Sequence, residues 1–238
     1  MKCFLTSSPM LSDTEELNPA NGFIDKLKSS LPDRCNALFV SSDPDDYIHM
    51  DRFAGSVKAA FETAGFPFSG FTVLDRRNQG SAKNLVDHAD FIILAGGHVP
   101  TQNKFFAQIS LRDLLRSYDK IVMGISAGSM NSADVVYAQP ELEGEAIDAG
   151  YQRFLTGLDL TKTMILPHYQ MIKDNILDGM RIIEDITYPD SQGRKFYALT
   201  DGSYLYIDNG QEEICGEAYL IADGKTTQIS ALGETAAI

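Results

Sequence analysis

Residues 120–130 read KIVMGISAGSM, and how this stretch is read decides the fold. Ile121, Val122 and Met123 form an apolar, partly β-branched run of the kind that makes a buried strand. The run ends in small residues, Gly124, Ser126, Ala127, Gly128 and Ser129. A strand that turns sharply into a helix needs such residues, because a larger side chain would collide with the strand or with the first helical turn. A bare G-x-S-x-G pattern arises by chance with odds of about one in ten in a chain with this much glycine and serine, so its setting has to give it meaning.

The setting is that of an α/β protein. KCFLTSS, NALFVSS, FTVLD, FIILAGG and KIVMGIS read as strands, and the helical stretches Phe23 to Leu31, Tyr47 to Ala64, Ala82 to His88 and Gln102 to Tyr118 lie between them. Strands alternating with helices predict a three-layer α/β fold, with helices on both faces of a mostly parallel sheet. After Ser126 the periodicity is lost, and residues 128–154 read as a long functional loop with some helix. TKTMILPHYQ is a further strand ending in a turn. From Arg194 on, the turn signals Asp201-Gly202, Asn209-Gly210 and Asp223-Gly224 separate alternating runs, which predicts a C-terminal antiparallel β meander extending or flanking the main sheet. With no repeat or linker, the whole chain, residues 1–238, is expected to be one domain.

Composition narrows the function. A formal net charge of −13 disfavours nucleic acid and anionic membranes, which are bound mainly through Lys and Arg. The three cysteines, Cys3, Cys35 and Cys215, have no metal-ligand or disulfide-framework spacing, so no metal, no cofactor and a reducing, cytoplasmic setting are expected. The start lacks a signal-peptide core, and no stretch approaches the roughly 18 apolar residues of a membrane span.

A hydroxyl at the carboxyl end of a parallel strand sits where open α/β sheets build their sites. Ser126 is the candidate nucleophile there, and the Ala127 amide would point at an oxyanion. Gly96-Gly97, at the end of FIILAGG, offers a second strand end whose backbone can approach a substrate closely, with Gly97 as the second oxyanion donor and Gly96 on the substrate side. The hydroxyl also needs a base. Of four histidines, His49 and His88 read as surface residues of helices, and His98, next to the glycines, as substrate-binding. His168, just past the strand MIL, is the expected base. An acid is then needed to orient the imidazole, and Asp134, Glu141, Glu143, Glu145, Asp148 and Asp159 all lie between Ser126 and His168.

GISAGS and AGGHVPTQN at two strand ends, with LPHYQ about forty residues downstream, together resemble the peptidase E (dipeptidase E and cyanophycinase) family of serine peptidases. The resemblance runs roughly from Leu38 to Leu205. It implies a flavodoxin-like fold similar to that of the class I glutamine amidotransferases. It also implies a triad of Ser126, His168 and an acid about fifteen residues after the serine, which falls on Glu141, with Glu143 and Glu145 as alternatives. The chain departs from the family pattern twice. His98 follows the glycine pair where the dipeptidases continue as glycine and asparagine. No Arg or Lys lies between Lys120 and Arg153, although members selective for an amino-terminal aspartate carry an arginine soon after the nucleophile.

The expected activity is hydrolysis of small peptides through an acyl-enzyme, with a homodimer left open and Asp-X specificity disfavoured. The competing reading is an amidotransferase-like or non-catalytic binding protein on the same scaffold. Amidotransferase chemistry normally places cysteine at the elbow and glutamate two positions after the histidine, where this chain has Ser126 and Gln170.

Overall fold

The five N-terminal strands pair as the sequence predicts, and they form the parallel part of an eight-stranded sheet in a computed structural model that describes residues 1–11 and 14–238. These strands are β1 (Lys2–Thr6), β2 (Cys35–Val40), β3 (Phe68–Leu74), β4 (Phe91–Leu94) and β5 (Ile121–Ile125). Their spatial order is β1-β5-β4-β2-β3, all parallel. Strands Tyr204–Asp208, Gln211–Cys215 and Thr235–Ala237 continue the sheet antiparallel from the far side of β1.

Alternate residues of each strand serve opposite faces of the sheet. Phe4, Phe39, Phe91, Ile93 and Met123 pack against helices α1 (Phe23–Ser30) and α2 (Tyr47–Thr63). Leu5, Leu38, Ile92, Leu94 and Val122 face the opposite layer, which contains α3 (Ala82–His88), α4 (Val99–Gln108) and α5 (Leu111–Leu115). Both faces are covered, so the central strands read as continuous apolar runs.

Three expectations need correction. The stretch Gln102 to Tyr118 is not one helix: α4 ends at Gln108 and α5 starts at Leu111, with Ser110 between them at φ 53, a left-handed conformation that breaks an α-helix. The C-terminal strands are not one meander either. Strands Lys195–Leu199, Ala218–Ala222 and Lys225–Ser230 lie outside the main sheet and form a separate four-stranded sheet with Met164–Leu166, which pairs with Lys195–Leu199. This second sheet has its own core, in which Tyr137 stacks on Phe196 with ring centroids 4.2 Å apart. Lastly, the stretch after Ser126 read as a long loop with some helix has its helix, α6 (Ala127–Asn131), but also holds an unexpected strand, Val135–Tyr137, which pairs with Phe154–Thr156.

Candidate active site

β5 delivers Ser126 to the carboxyl edge of the parallel sheet, and α6 starts at the next residue. Ser126 has φ 50 and ψ −109, a strained conformation for a residue with a side chain. The strain is held from several sides. The Ser126 amide donates to Thr6 O at 3.0 Å, and Ser126 O accepts from the amides of Ser129 and Met130. The glycines of the motif have a specific steric duty: a Cβ on Gly128 would come within 2.3 Å of Leu94 O, and one on Gly124 within 2.6 Å of the Ser129 amide. Without side chains at these two positions, α6 can lie directly on β4 and β5.

The neighbouring strand end is built the same way. Gly96 packs beside Ser126, and Gly97 adopts φ +152 with Ser42 occupying the space a Cβ would need. Ser42 Oγ donates to Gly96 O at 2.6 Å and ties this turn to the end of β2. Among the described residues, neither the Gly97 nor the Ala127 amide donates a hydrogen bond. Two strand ends therefore offer unspent donors next to one hydroxyl.

His168 follows the strand Met164–Leu166 of the second sheet and takes φ 56. Its Nε2 lies 2.9 Å from Ser126 Oγ, and its Nδ1 lies 2.7 Å from Asp201 Oδ1. A carboxylate only accepts, so Nδ1 carries the proton and Nε2 is left to accept from the serine hydroxyl.

The carboxylate on the imidazole is Asp201, not Glu141. Asp201 stands in the Asp-Gly turn where the chain passes from the second sheet, at Leu199, into the main sheet, at Tyr204. That crossing runs beside the end of β1. The Ser7 hydroxyl donates to Asp201 Oδ1 at 2.7 Å and accepts from the His168 amide at 2.7 Å. Gln170 closes the other side, its Nε2 donating to Asp201 Oδ2 at 2.6 Å and its Oε1 accepting from the Asp201 amide at 3.2 Å. Burial pushes the Asp201 pKa up, but the hydrogen bonds from His168, Ser7 and Gln170 and the field of the imidazole outweigh it and hold the carboxyl below its ordinary value.

The other acidic candidates have different partners. Asp134 and Asp159 pair with Arg112 and Lys162, Asp148 accepts from the Gly150 amide, and Glu143 is exposed. Glu145 caps its own loop by accepting from the amides of Glu141 and Leu142, and its Oε1 lies 2.7 Å from His98 Nε2. Glu141 accepts from the Val99 amide at 3.1 Å, at the start of α4. His98 uses its other ring nitrogen on Thr101 Oγ1, also at 2.7 Å, so both nitrogens hold the loop rather than face the cavity. His49 and His88 are exposed on their helices.

A cavity of about 110 Å³ opens beside Ser126 and His168. Val99, Met130, Leu166, Pro167, Ile172 and Ile182 give it apolar walls, and Gln139, Glu141 and Asn175 supply polar atoms. A larger groove of about 480 Å³ runs along Asn103, Phe106 and Phe154, but its described lining residues include no histidine to serve as a base.

Asp201 and Ser7 escape a reading of the sequence. Asp201 has the appearance of a turn residue, and Ser7 that of a strand end. The signal that points towards them is Gln170, two positions after the histidine, where an orienting side chain is expected.

Residues 3–215 match the model of peptidase family S51. The fold is similar to that of a peptidase from an acI-B1 Actinobacterium, at 16% identity and a TM-score of 0.64, over 100% of this chain and 96% of that one. It is also similar to a protein described as a putative peptidase E from Listeria monocytogenes EGD-e, at 16% identity and a TM-score of 0.61, over 96% of this chain and 98% of that one. No curated protein matches the chain.

Proposed function

The chain belongs to peptidase family S51 and is a serine-type peptidase with a flavodoxin-like fold, and from that premise we propose that it hydrolyses small peptides through a Ser126–His168–Asp201 triad. The observation that carries this reading is the unbroken chain of contacts from Ser126 Oγ through the His168 imidazole to Asp201, 2.9 Å and 2.7 Å long.

His168 Nε2 takes the hydroxyl proton as Ser126 Oγ attacks the scissile carbonyl, and the imidazolium that forms is stabilised by Asp201. The amides of Gly97 and Ala127, which have no other partner among the described residues, receive the oxyanion. His168 then returns the proton to the leaving amine. The acyl group stays on Ser126 until water, deprotonated by the same imidazole, releases it. Because Asp201 is held by Ser7 and Gln170 as well as by His168, the imidazole keeps the tautomer the attack requires.

The size of the cavity favours a small first residue. At about 110 Å³ it is smaller than the roughly 150 Å³ cavity that accepts benzene. Among the described residues that line it, none is Lys or Arg, so an aspartate side chain would enter without a cationic partner.

The test is hydrolysis of a dipeptide panel, Ala-X, Gly-X, Leu-X and Asp-X, by wild type and Ser126→Ala. Cleavage of Ala-X or Gly-X that falls on the order of 10⁵-fold in the variant is expected. Equal cleavage by both proteins would overturn the assignment of Ser126. A preference for Asp-X would overturn the account of the cavity.

A further inference from the structure

We propose that Ser42 is a positioning residue for the oxyanion site: by holding the carbonyl of Gly96 it fixes the plane of the Gly96–Gly97 peptide and aims the Gly97 amide at the carbonyl oxygen of the substrate. The inference rests on the serine-peptidase reading of Ser126 and adds the device that keeps one of its two oxyanion donors turned towards it.

The order of the strands sets the geometry. β4 lies between β2 and β5. The turn at its end therefore has Ser42, two residues past β2, on one side and Ser126, the residue after β5, on the other. Ser42 Oγ reaches Gly96 O at 2.6 Å. On the opposite side, a Cβ on Gly96 would lie 3.5 Å from Ser126 Cβ. The Gly96–Gly97 peptide is trans, and the C=O and N–H of a planar trans peptide point in opposite directions. A carbonyl held towards β2 thus turns the Gly97 N–H towards β5 and Ser126, where among the described residues it has no partner.

Nothing local fixes that plane. Two successive glycines have no side chains to favour one orientation, and Gly97, at φ +152, occupies backbone space that other residues rarely enter. A flip of the peptide plane would put Gly96 O, an acceptor, where the oxyanion forms. The restraint has to come from neighbours. The preceding carbonyl, Ala95 O, is held by the buried Gln102 Nε2 at 2.7 Å, and Gln102 Oε1 accepts in turn from Asn131 Nδ2 at 2.9 Å. The next carbonyl, Gly96 O, has Ser42 as its one donor among the described residues.

Burial gives this bond its weight. Ser42 is 1% exposed, and its hydroxyl has two acceptors within reach, Gly96 O and, at 3.4 Å, Met50 Sδ. A thioether is a weak acceptor and a peptide carbonyl a strong one, so the hydroxyl hydrogen goes to Gly96 O. A flipped peptide would offer Ser42 an N–H in place of the carbonyl and leave its hydrogen only the sulfur.

Ser42→Ala removes the donor, and Ser42→Thr keeps it. The measurements, in wild type and both variants, are kcat and KM for the best dipeptide of the panel, affinity for the boronic acid analogue of alanine, and melting temperature. Ser126 Oγ adds to the boron with no group leaving, and a boron-bound oxygen takes the oxyanion position. In Ser42→Ala, kcat is expected to fall about 30-fold, somewhat less than the roughly 100-fold or more of losing an oxyanion donor outright, with KM within about twofold of wild type. Boronate affinity should fall by a similar factor, and Ser42→Thr should stay within about threefold of wild type throughout.

A wild-type kcat in Ser42→Ala would overturn the inference, as would a loss carried by KM alone. A fall in kcat with unchanged affinity for the boronate would also overturn it, by leaving the oxyanion site intact. Equal losses in Ser42→Ala and Ser42→Thr, with both melting well below wild type, would overturn it by reducing Ser42 to a packing residue. Failure of wild type to cleave any dipeptide or to bind the boronate would instead remove the peptidase reading on which the inference stands.

Discussion

The two halves of the candidate site are built by different means. Ser126 and the Gly96-Gly97 turn sit on adjacent parallel strands, and their geometry follows from glycines that let α6 and Ser42 approach the backbone. His168 and Asp201 come from the second sheet and from the crossing between sheets, 33 residues apart in sequence, and are aligned by Ser7 at the end of β1. The side of the proposed nucleophile is therefore a local device, set by the shape of one strand and turn. The base side is a tertiary device that exists only when two sheets meet.

This difference can be broken from either side, and the largest expected effect comes from the base. His168→Ala should lower kcat/KM for the best dipeptide on the order of 10⁵-fold, measured at a pH where the wild type is fully active. On the nucleophile side, Gly97→Ala puts a methyl 2.4 Å from Ser42 Oγ and moves the oxyanion turn. Its kcat should fall on the order of 100-fold, the effect of removing one oxyanion donor. Gly128→Ala meets backbone, Leu94 O at 2.3 Å, and cannot be relieved by a rotamer change. It should destabilise by about 1–3 kcal/mol and lower the melting temperature by roughly 3–10 °C in a calorimetric scan.

The smallest effect is a dependence of stability on pH. Asp201 has a folded pKa below its unfolded one, so its contribution is complete above the ordinary carboxylate value of about 4 and is lost as pH falls through the lower folded value. The difference in melting temperature between wild type and Asp201→Asn should shrink as pH falls from about 5 towards 2. A constant difference across that range would mean that the carboxylate is not held in its charged form.

The same contrast explains what the sequence reveals. The parallel strands, the elbow at Ser126 and the Gly96-Gly97 turn are legible because each is written within about ten consecutive residues, as an apolar run followed by small ones. His168 is legible by its place after a strand, although that strand belongs to the second sheet. Asp201 is not, because Asp-Gly is an ordinary turn signal and its closeness to His168 is created by the chain crossing from Leu199 to Tyr204. Glu141 has the spacing that the family resemblance assigns to the acid, yet the Val99 amide draws it to the start of α4 instead. The break between α4 and α5 escapes the apolar periodicity, which runs on through Ser110 while the backbone there turns left-handed.

In the proposed triad, everything on the base side depends on Asp201 setting the tautomer of the imidazole that would activate Ser126. That dependence is read from the second-order rate of Ser126 modification by a serine-directed phosphonate in wild type, Asp201→Asn and Glu141→Gln, followed by intact mass. A fall on the order of 10³-fold is expected for Asp201→Asn and a much smaller one for Glu141→Gln. A wild-type rate in Asp201→Asn, with the large fall appearing in Glu141→Gln, would contradict the assignment and return the acid to Glu141.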